Sequence, residues 1–290
     1  MSARSQAWGP QVVMLLSGFG DDSADETKSR VFAVASVIAD DDIWRELERL
    51  WLERNKGVPF HATDCDSDSK LYAGRSHAEN KELYKDLAQM LAHSGARGFG
   101  VVVDLAAHRK FFPNVPEELS YHFCFVRVVG FLARYAVRAG AAELKLSFDN
   151  RLETNFNAAY MYSVMLQDDD LPYRQVLAGD ISFLCSGKNP KIQIGDLYAR
   201  ECMKLLDNIV GPVKRDKRKS MLALEETGRF GADMYSDEFF QDMHDRMGEL
   251  QRRAGYNQQD YLQWLERHKF PDTVSNRFKF LALLVAKDVA

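Results

Sequence analysis

Asp21, Asp149 and Asp196 are the residues whose type and placement suggest shared chemistry. Asp21 stands in the polar segment that follows a first apolar run. Asp149 ends the alternating segment ELKLSFD, and Asp196 lies one to two turns into a helix opened by Asn189-Pro190. Magnesium and manganese take oxygen ligands, usually a few carboxylates completed by water and substrate phosphate. Strand ends and an adjacent helix can present such carboxylates rigidly. Two ions held this way would activate water and steady the leaving oxygen in phosphodiester cleavage. Without a cation the carboxylates repel, and one or more should hold its proton above the usual range. The chain has 42 acidic residues, so accidental triples abound. The bland alternatives are a turn aspartate at position 21 and, at position 196, a carboxylate favouring the positive end of its helix.

Neighbouring side chains extend the candidate site. Gln193 and Asp196 are three apart and share a helix face. Arg200, four beyond Asp196, is placed to pair with it or to face phosphate. Gly195 costs about 1 kcal/mol of helix propensity against alanine, so close packing is expected there. His61, Asp64 and Cys65 suggest zinc, but a lone HxxDC lacks the second ligand pair of a closed site. The segment DCDSD lacks the glycine and distal glutamate of a calcium loop, so a solvated loop is the simpler reading. Lys214 to Lys219 is the densest basic run and could track a phosphate backbone, although such runs are usually solvated faces.

These residues need a scaffold. Val12–Leu16 and Val31–Ile38 read as strands joined in an antiparallel hairpin across SGFGDDSADETKSR. Asp40 to Asp42 read as the cap and first turn of a helix with Ile43, Leu47, Leu50 and Trp51 on one face. Gly57 to Lys70 reads as irregular. Leu83, Leu87 and Leu91 mark an amphipathic helix, and Gly98–Asp104 a third strand. A long apolar helix from Pro116 to about Ala139, with Phe123, Val126, Phe131 and Tyr135, is expected to pack across the sheet. Glu143–Asp149 is a strand, followed by a helix with Phe156, Tyr160 and Val164. Ile181–Cys185 is a short strand, and the Pro190 helix follows it. Gly211-Pro212 breaks the chain. Only helices are expected beyond residue 185, with apolar clusters at Phe239, Phe240 and Met243, at Tyr261 and Trp264, and at Phe278, Leu281 and Leu284. Their aromatics are expected to fill a core.

The sum is an α/β chain, a mixed sheet with helices packed on it. Of 290 residues, 46% are hydrophobic and 28% charged, which excludes a disordered chain. No apolar run reaches the roughly 20 residues of a membrane span. The short apolar run near the start reads as a strand and not a secretory signal. Cys65, Cys124, Cys185 and Cys202 form no CxxC pair, and three lie in apolar stretches. They read as reduced thiols of a cytoplasmic protein. The formal net charge of −4 announces no global affinity for nucleic acid.

Four segments resemble, in order, the motifs of the microbial and phage family called domain of unknown function 3800. Asp21-Asp22-Ser23-Ala24, preceded by SGF, resembles its opening Asp-Glu/Asp-Ser-Gly motif. Phe60-His61-Ala62-Thr63-Asp64 resembles its Phe-His-Met-Thr-Asp segment. Leu146 to Asp149 resembles its late strand ending in aspartate. Ile192-Gln193-Ile194-Gly195-Asp196-Leu197 resembles its Leu-Gln-Leu-Ala-Asp-Leu helix. The matches span about residues 12 to 207. Ala24 stands for the usual glycine and Gly195 for the usual alanine. Pro59 stands where some members carry glutamate.

The resemblance implies a ribonuclease H-like fold over 10–210, with a C-terminal helical extension over 211–290 packed on the same domain. It implies a metal-dependent nuclease acting on DNA or RNA with Mg2+ or Mn2+. Asp21, Asp149 and Asp196 would be the main metal ligands, Asp64 a fourth, and His61 a group that orients substrate or moves a proton. Ser23, Lys188, Gln193 and Arg200 are expected to contact substrate. The rival expectation is a non-catalytic binding or assembly module of the same fold, motivated by Pro59 and Ala24. A third is a hydrolase or transferase of small phosphate esters. A membrane partner is not expected, and a homo-oligomer is left open.

Overall fold

The computed structural model describes residues 14–113, 118–169, 171–245 and 257–272, together with 276, 279, 280, 283 and 284. Strand β1 (Leu15–Ala24) pairs antiparallel with β2 (Val31–Ala39), as the hairpin reading required. The turn is shorter than expected. SGFGDDSA belongs to the strand and only residues 25 to 30 turn, so Asp21 is a strand residue and not a turn residue. The reason is pairing: β1 is central, flanked by β4 (Glu143–Asp149) as far as Gly20 and by β2 through Ala24, so the β2 ladder carries the polar residues 21–24 as strand. Asp25 organises the turn itself. Its carboxylate accepts the amides of Thr27, Ser29, Arg30 and Val31 at 2.8 to 3.2 Å and the Thr27 hydroxyl at 2.6 Å.

The six-stranded sheet has the order β5-β4-β1-β2-β3-β6. Strand β3 (Arg97–Asp104) runs antiparallel to β2. Strand β4 runs parallel to β1, and β5 (Leu177–Leu184) parallel to β4. The expectation of helices alone beyond residue 185 is corrected by β6 (Phe230–Tyr235), which pairs parallel with β3. The segment FGADMY carries little signal of its own. The free edge of β3, formed far earlier in the chain, supplies its partner.

One face of the sheet carries α5 (Glu118–Arg138), which packs across β2 and β3. The other carries α7 (Pro190–Val210), which crosses β1, β2 and β3. Asn189 caps α7 by accepting the amides of Lys191 and Ile192, with Pro190 in the first turn, as the sequence indicated. Helix α1 (Asp41–Asn55) is capped by Asp40, which accepts the Ile43 amide at 2.9 Å. Its buried face is Trp44, Leu47, Trp51 and Asn55; the expected Ile43 packs, partly buried, against the same core, and Leu50 is only partly buried. Residues 57–70, read as irregular, contain a short helix α2 (Ala62–Asp66). Helix α3 (His77–His93) buries Leu83, Leu87 and Leu91 as expected, and the short helix α4 (Leu105–Phe111) follows β3.

Helix α6 (Leu152–Gln167) follows β4, but its Phe156 is exposed at 79% and belongs to no core. Phe240, Tyr261 and Trp264 join the core on the α5 side, so those tail aromatics do fill a core. Phe278 and Leu281 lie outside the described residues. Cys65, Cys124 and Cys202 are buried thiols, whereas Cys185 is exposed. Among the described residues no helix is long and apolar enough to cross a membrane.

Candidate active site

Asp21 and Asp149 stand side by side where the pairing of two parallel strands ends. The β1–β4 register runs to Gly20 opposite Phe148, one residue before each aspartate. Adjacent strands lie about 4.8 Å apart, so the two carboxylates start from neighbouring backbones. Alternation decides the face. Leu146 and Phe148 enter the core under α5, which turns Asp149 to the α7 side. Phe19 belongs to the α7-side core, and Asp21, two residues on, shares that side.

Two glycines allow this approach. A Cβ on Gly20 would sit 2.5 Å from the Phe148 ring and 2.8 Å from the Ala35 carbonyl oxygen. A Cβ on Gly195 would meet the Phe19 carbonyl oxygen at 3.0 Å and the Gly20 backbone at 3.2 Å. The close packing expected of Gly195 is therefore present. It lays α7 on β1 and delivers Asp196, the next residue, to Asp21.

Each carboxylate is steadied by one backbone amide. Asp21 accepts from Asp22 at 2.7 Å, Asp149 from Ser186 at 2.9 Å, and Asp196 from Ala62 at 2.7 Å. Asp21 and Asp196 are 6% and 4% exposed. Burial pushes the Asp21 carboxyl well above the usual range, and the charges of Asp196, Asp22 and Asp149 push it further against the pull of Arg151. Burial also raises Asp196, although His61, the Ala62 amide and Arg200 oppose the rise. The three groups thus feel one another across a shared, negatively charged volume. Among the described residues, however, no three His, Cys, Asp or Glu side chains form a ready-made metal cage.

Asp22 faces the other way and pairs with Arg151 at 2.5 Å. Burial lifts its carboxyl to about 7, with Arg151 opposing. Neither residue had been assigned a role. Arg151 lies two past Asp149 at the entry to α6, and only the fold shows that it is the cation beside the cluster.

The remaining expected site residues separate. His61 precedes α2 and is half-exposed. Its charge reaches Asp196, and its Nδ1 lies 3.2 Å from Asp64 Oδ2. Asp64 is engaged by His61 and by Lys70, each at 3.2 Å. Within the described residues it is a partner for His61 and Lys70. Gln193 is corrected. It is buried, its Oε1 accepts from Trp51 Nε1 and the Phe60 amide, and its Nε2 donates to the Ser186 carbonyl. With both ends of the amide committed, it ties α1, the FHATD segment and the 186–188 turn to α7 and does not face substrate.

Arg200 pairs with neither Asp196 nor open solvent but with Asp66 at 3.0 Å. Asp66 also receives Arg218, which reaches Glu201 at 3.3 Å. The DCDSD segment is thus no simple solvated loop, and part of the basic run is spent internally: Lys217 pairs with Glu225 as well. Lys214, Arg215 and Lys219 remain exposed. Ser23 is buried on β1 opposite Ala33, on the Asp21 face. Lys188 is exposed at the turn whose Ser186 amide holds Asp149. No family model, no curated protein and no solved structure matches the chain.

Proposed function

We propose that the chain is a divalent-metal-dependent nuclease, a phosphodiester hydrolase of ribonuclease H-like architecture and a member of the domain of unknown function 3800 family. The observation that carries the reading is the convergence of Asp21, Asp149 and Asp196 into a buried site with excess negative charge. A mixed sheet opened by a hairpin and continued by crossover strands is compatible with that architecture. The free cysteines suit a reducing, cytoplasmic setting.

The donor set fits Mg2+ or Mn2+. It is all carboxylate oxygen, which hard cations prefer. Burial leaves the charges of Asp21 and Asp196 poorly balanced. Asp21, Asp149 and Asp196 would hold the ion, each with one oxygen already oriented by a backbone amide. When bound, such an ion supplies Lewis acidity and lowers the pKa of water. The chain supplies the rest. Asp21 and Asp196, both raised by burial, would be the carboxyls whose charge the ion would balance. Arg151, oriented by Asp22, offers a guanidinium to a phosphate oxygen. His61, half-exposed and held by Asp64, is placed to pass a proton between substrate and solvent.

The test is cleavage of single- and double-stranded DNA and RNA with Mn2+, beside titration calorimetry of Mn2+ into the wild type and Asp196→Asn. Cleavage that the variant loses, with weakened Mn2+ binding, supports the reading. A wild type that binds Mn2+ no better than the variant and cuts no nucleic acid overturns it. The absence of a ready-made cage among the described residues favours a second reading, a non-catalytic binding module of the same fold. That module would bind nucleic acid without cutting it and would be indifferent to Mn2+.

A further inference from the structure

A second concave site lies at the opposite end of the sheet from the carboxylates. Asp21 and Asp149 stand just past the last pair of the β1–β4 ladder. This cavity opens where β3 and β6 begin, beside the C-terminal half of α5. Its volume is about 520 Å3. Arg97, Arg134, Arg138 and Arg229 line it, against one acid, Asp233. Asp233 is itself paired with Arg127 at 3.2 Å. A solvated rim would keep its arginines in water, but Arg134 is only 8% exposed. Burial depresses its pKa, with Arg127 and Arg138 adding to the effect while Tyr173 and Asp233 oppose it. Its guanidinium lies over the Tyr173 ring at 5.5 Å, and the exposed Arg97, Arg138 and Arg229 beside it add positive charge in a fork geometry that matches phosphate.

The wall also offers a flat apolar surface. Phe131 stacks on Phe99 with centroids 3.7 Å apart and planes 9° from parallel. Phe131 is nevertheless 39% exposed, unusual for a ring in a cavity wall. Arg97 lies over the Tyr135 ring at 5.0 Å, which holds its guanidinium at the mouth. Cations that take phosphate therefore stand beside a ring on which a base can stack.

We infer that this cavity binds a nucleotide moiety, its phosphates on the arginines and its base on Phe131, either as a free nucleotide or as the phosphorylated end of a polynucleotide. The site is separate from the acidic cluster and does not depend on the nuclease reading.

The experiment is calorimetric titration of ATP, tripolyphosphate and a 5′-phosphorylated single strand into the full chain in EDTA, where the carboxylate cluster repels phosphate. ATP or the strand should bind. Arg138→Gln with Arg229→Gln, both on exposed side chains, should weaken binding at least tenfold. Phe131→Ala should weaken ATP and leave tripolyphosphate unchanged. Binding of ATP alone identifies a free nucleotide, and binding of the strand alone a polynucleotide end. Absence of binding by both overturns the inference, as does binding insensitive to the arginine pair. Tripolyphosphate binding as tightly as ATP overturns the part assigned to the ring.

Discussion

Replacing Asp21 by asparagine removes one charge from the acidic cluster and little else. Asparagine is nearly isosteric, and its Oδ1 can keep the 2.7 Å hydrogen bond from the Asp22 amide. In the cation-free protein the Asp21 charge is buried and opposed by Asp196, Asp22 and Asp149, with Arg151 as partial relief. The variant should therefore be more stable than the wild type in EDTA at pH 8. A gain of about 1–3 kcal/mol is the usual scale for relieving an unsatisfied buried polar group. For a chain of this size that is a rise in Tm of roughly 2–4 °C per kcal/mol. The sign with pH follows from the raised carboxyl. A carboxyl whose folded pKa is raised favours folding below its unfolded value and loses that contribution as pH rises through the folded pKa. The advantage of the variant should thus vanish at acid pH, where Asp21 is protonated. Adding Mn2+ should reverse the order, because the wild type gains ligand-linked stability that the variant lacks. Thermal denaturation across pH, with EDTA and with Mn2+, measures all of this. A variant less stable than the wild type in EDTA at pH 8 would refute the reasoning, since the Asp21 charge would then be compensated.

Gly195→Ala gains about 1 kcal/mol of helix propensity but drives a Cβ against the backbone of β1, where overpacking costs about 1–3 kcal/mol. Denaturant unfolding should show a small net loss, and Gly195→Val a larger one, each with weaker Mn2+ binding. Gln193→Leu orphans Trp51 Nε1, the Phe60 amide and the Ser186 carbonyl, and should lower stability by about 3 kcal/mol or more; a loss below about 1 kcal/mol would count against its role as a tie. Asp25 is raised by burial but brought down further by the Thr27 hydroxyl and the Val31 and Arg30 amides, to about 2. Asp25→Ala should cost about 2 kcal/mol at neutral pH. Because its folded pKa is lowered, that cost should fade as pH falls from the ordinary range through 2. Arg151→Gln removes the cation that holds Asp22 down, so carboxyl NMR in EDTA should find the Asp22 titration moved above about 7.

What neighbours along the chain encode was legible in the sequence. Asn189 and Pro190 open a helix wherever they stand ahead of such a pattern, because the cap and the fixed proline φ act within one turn. ELKLSFD is a strand because period two pairs a buried face with an exposed one. Gly195, poor in a helix, announced close packing even though its contact, the backbone at Phe19 and Gly20, is remote in sequence. The tertiary structure decided the partners. Asp21 became a strand residue because β2 pairs with it, opposite Ala35, beyond the point where the β4 pairing ends. FGADMY became β6 because β3 left an edge open. Arg200, read as a companion of Asp196, forms its ion pair with Asp66 of α2. Gln193 was consumed by three groups that α1, the FHATD segment and the 186–188 turn bring to it. Local rules depend on short-range sterics and hydrogen bonds, so a window of residues contains them. The choice among charged or amide partners more than a hundred residues apart depends on where whole elements come to rest, and no window contains that.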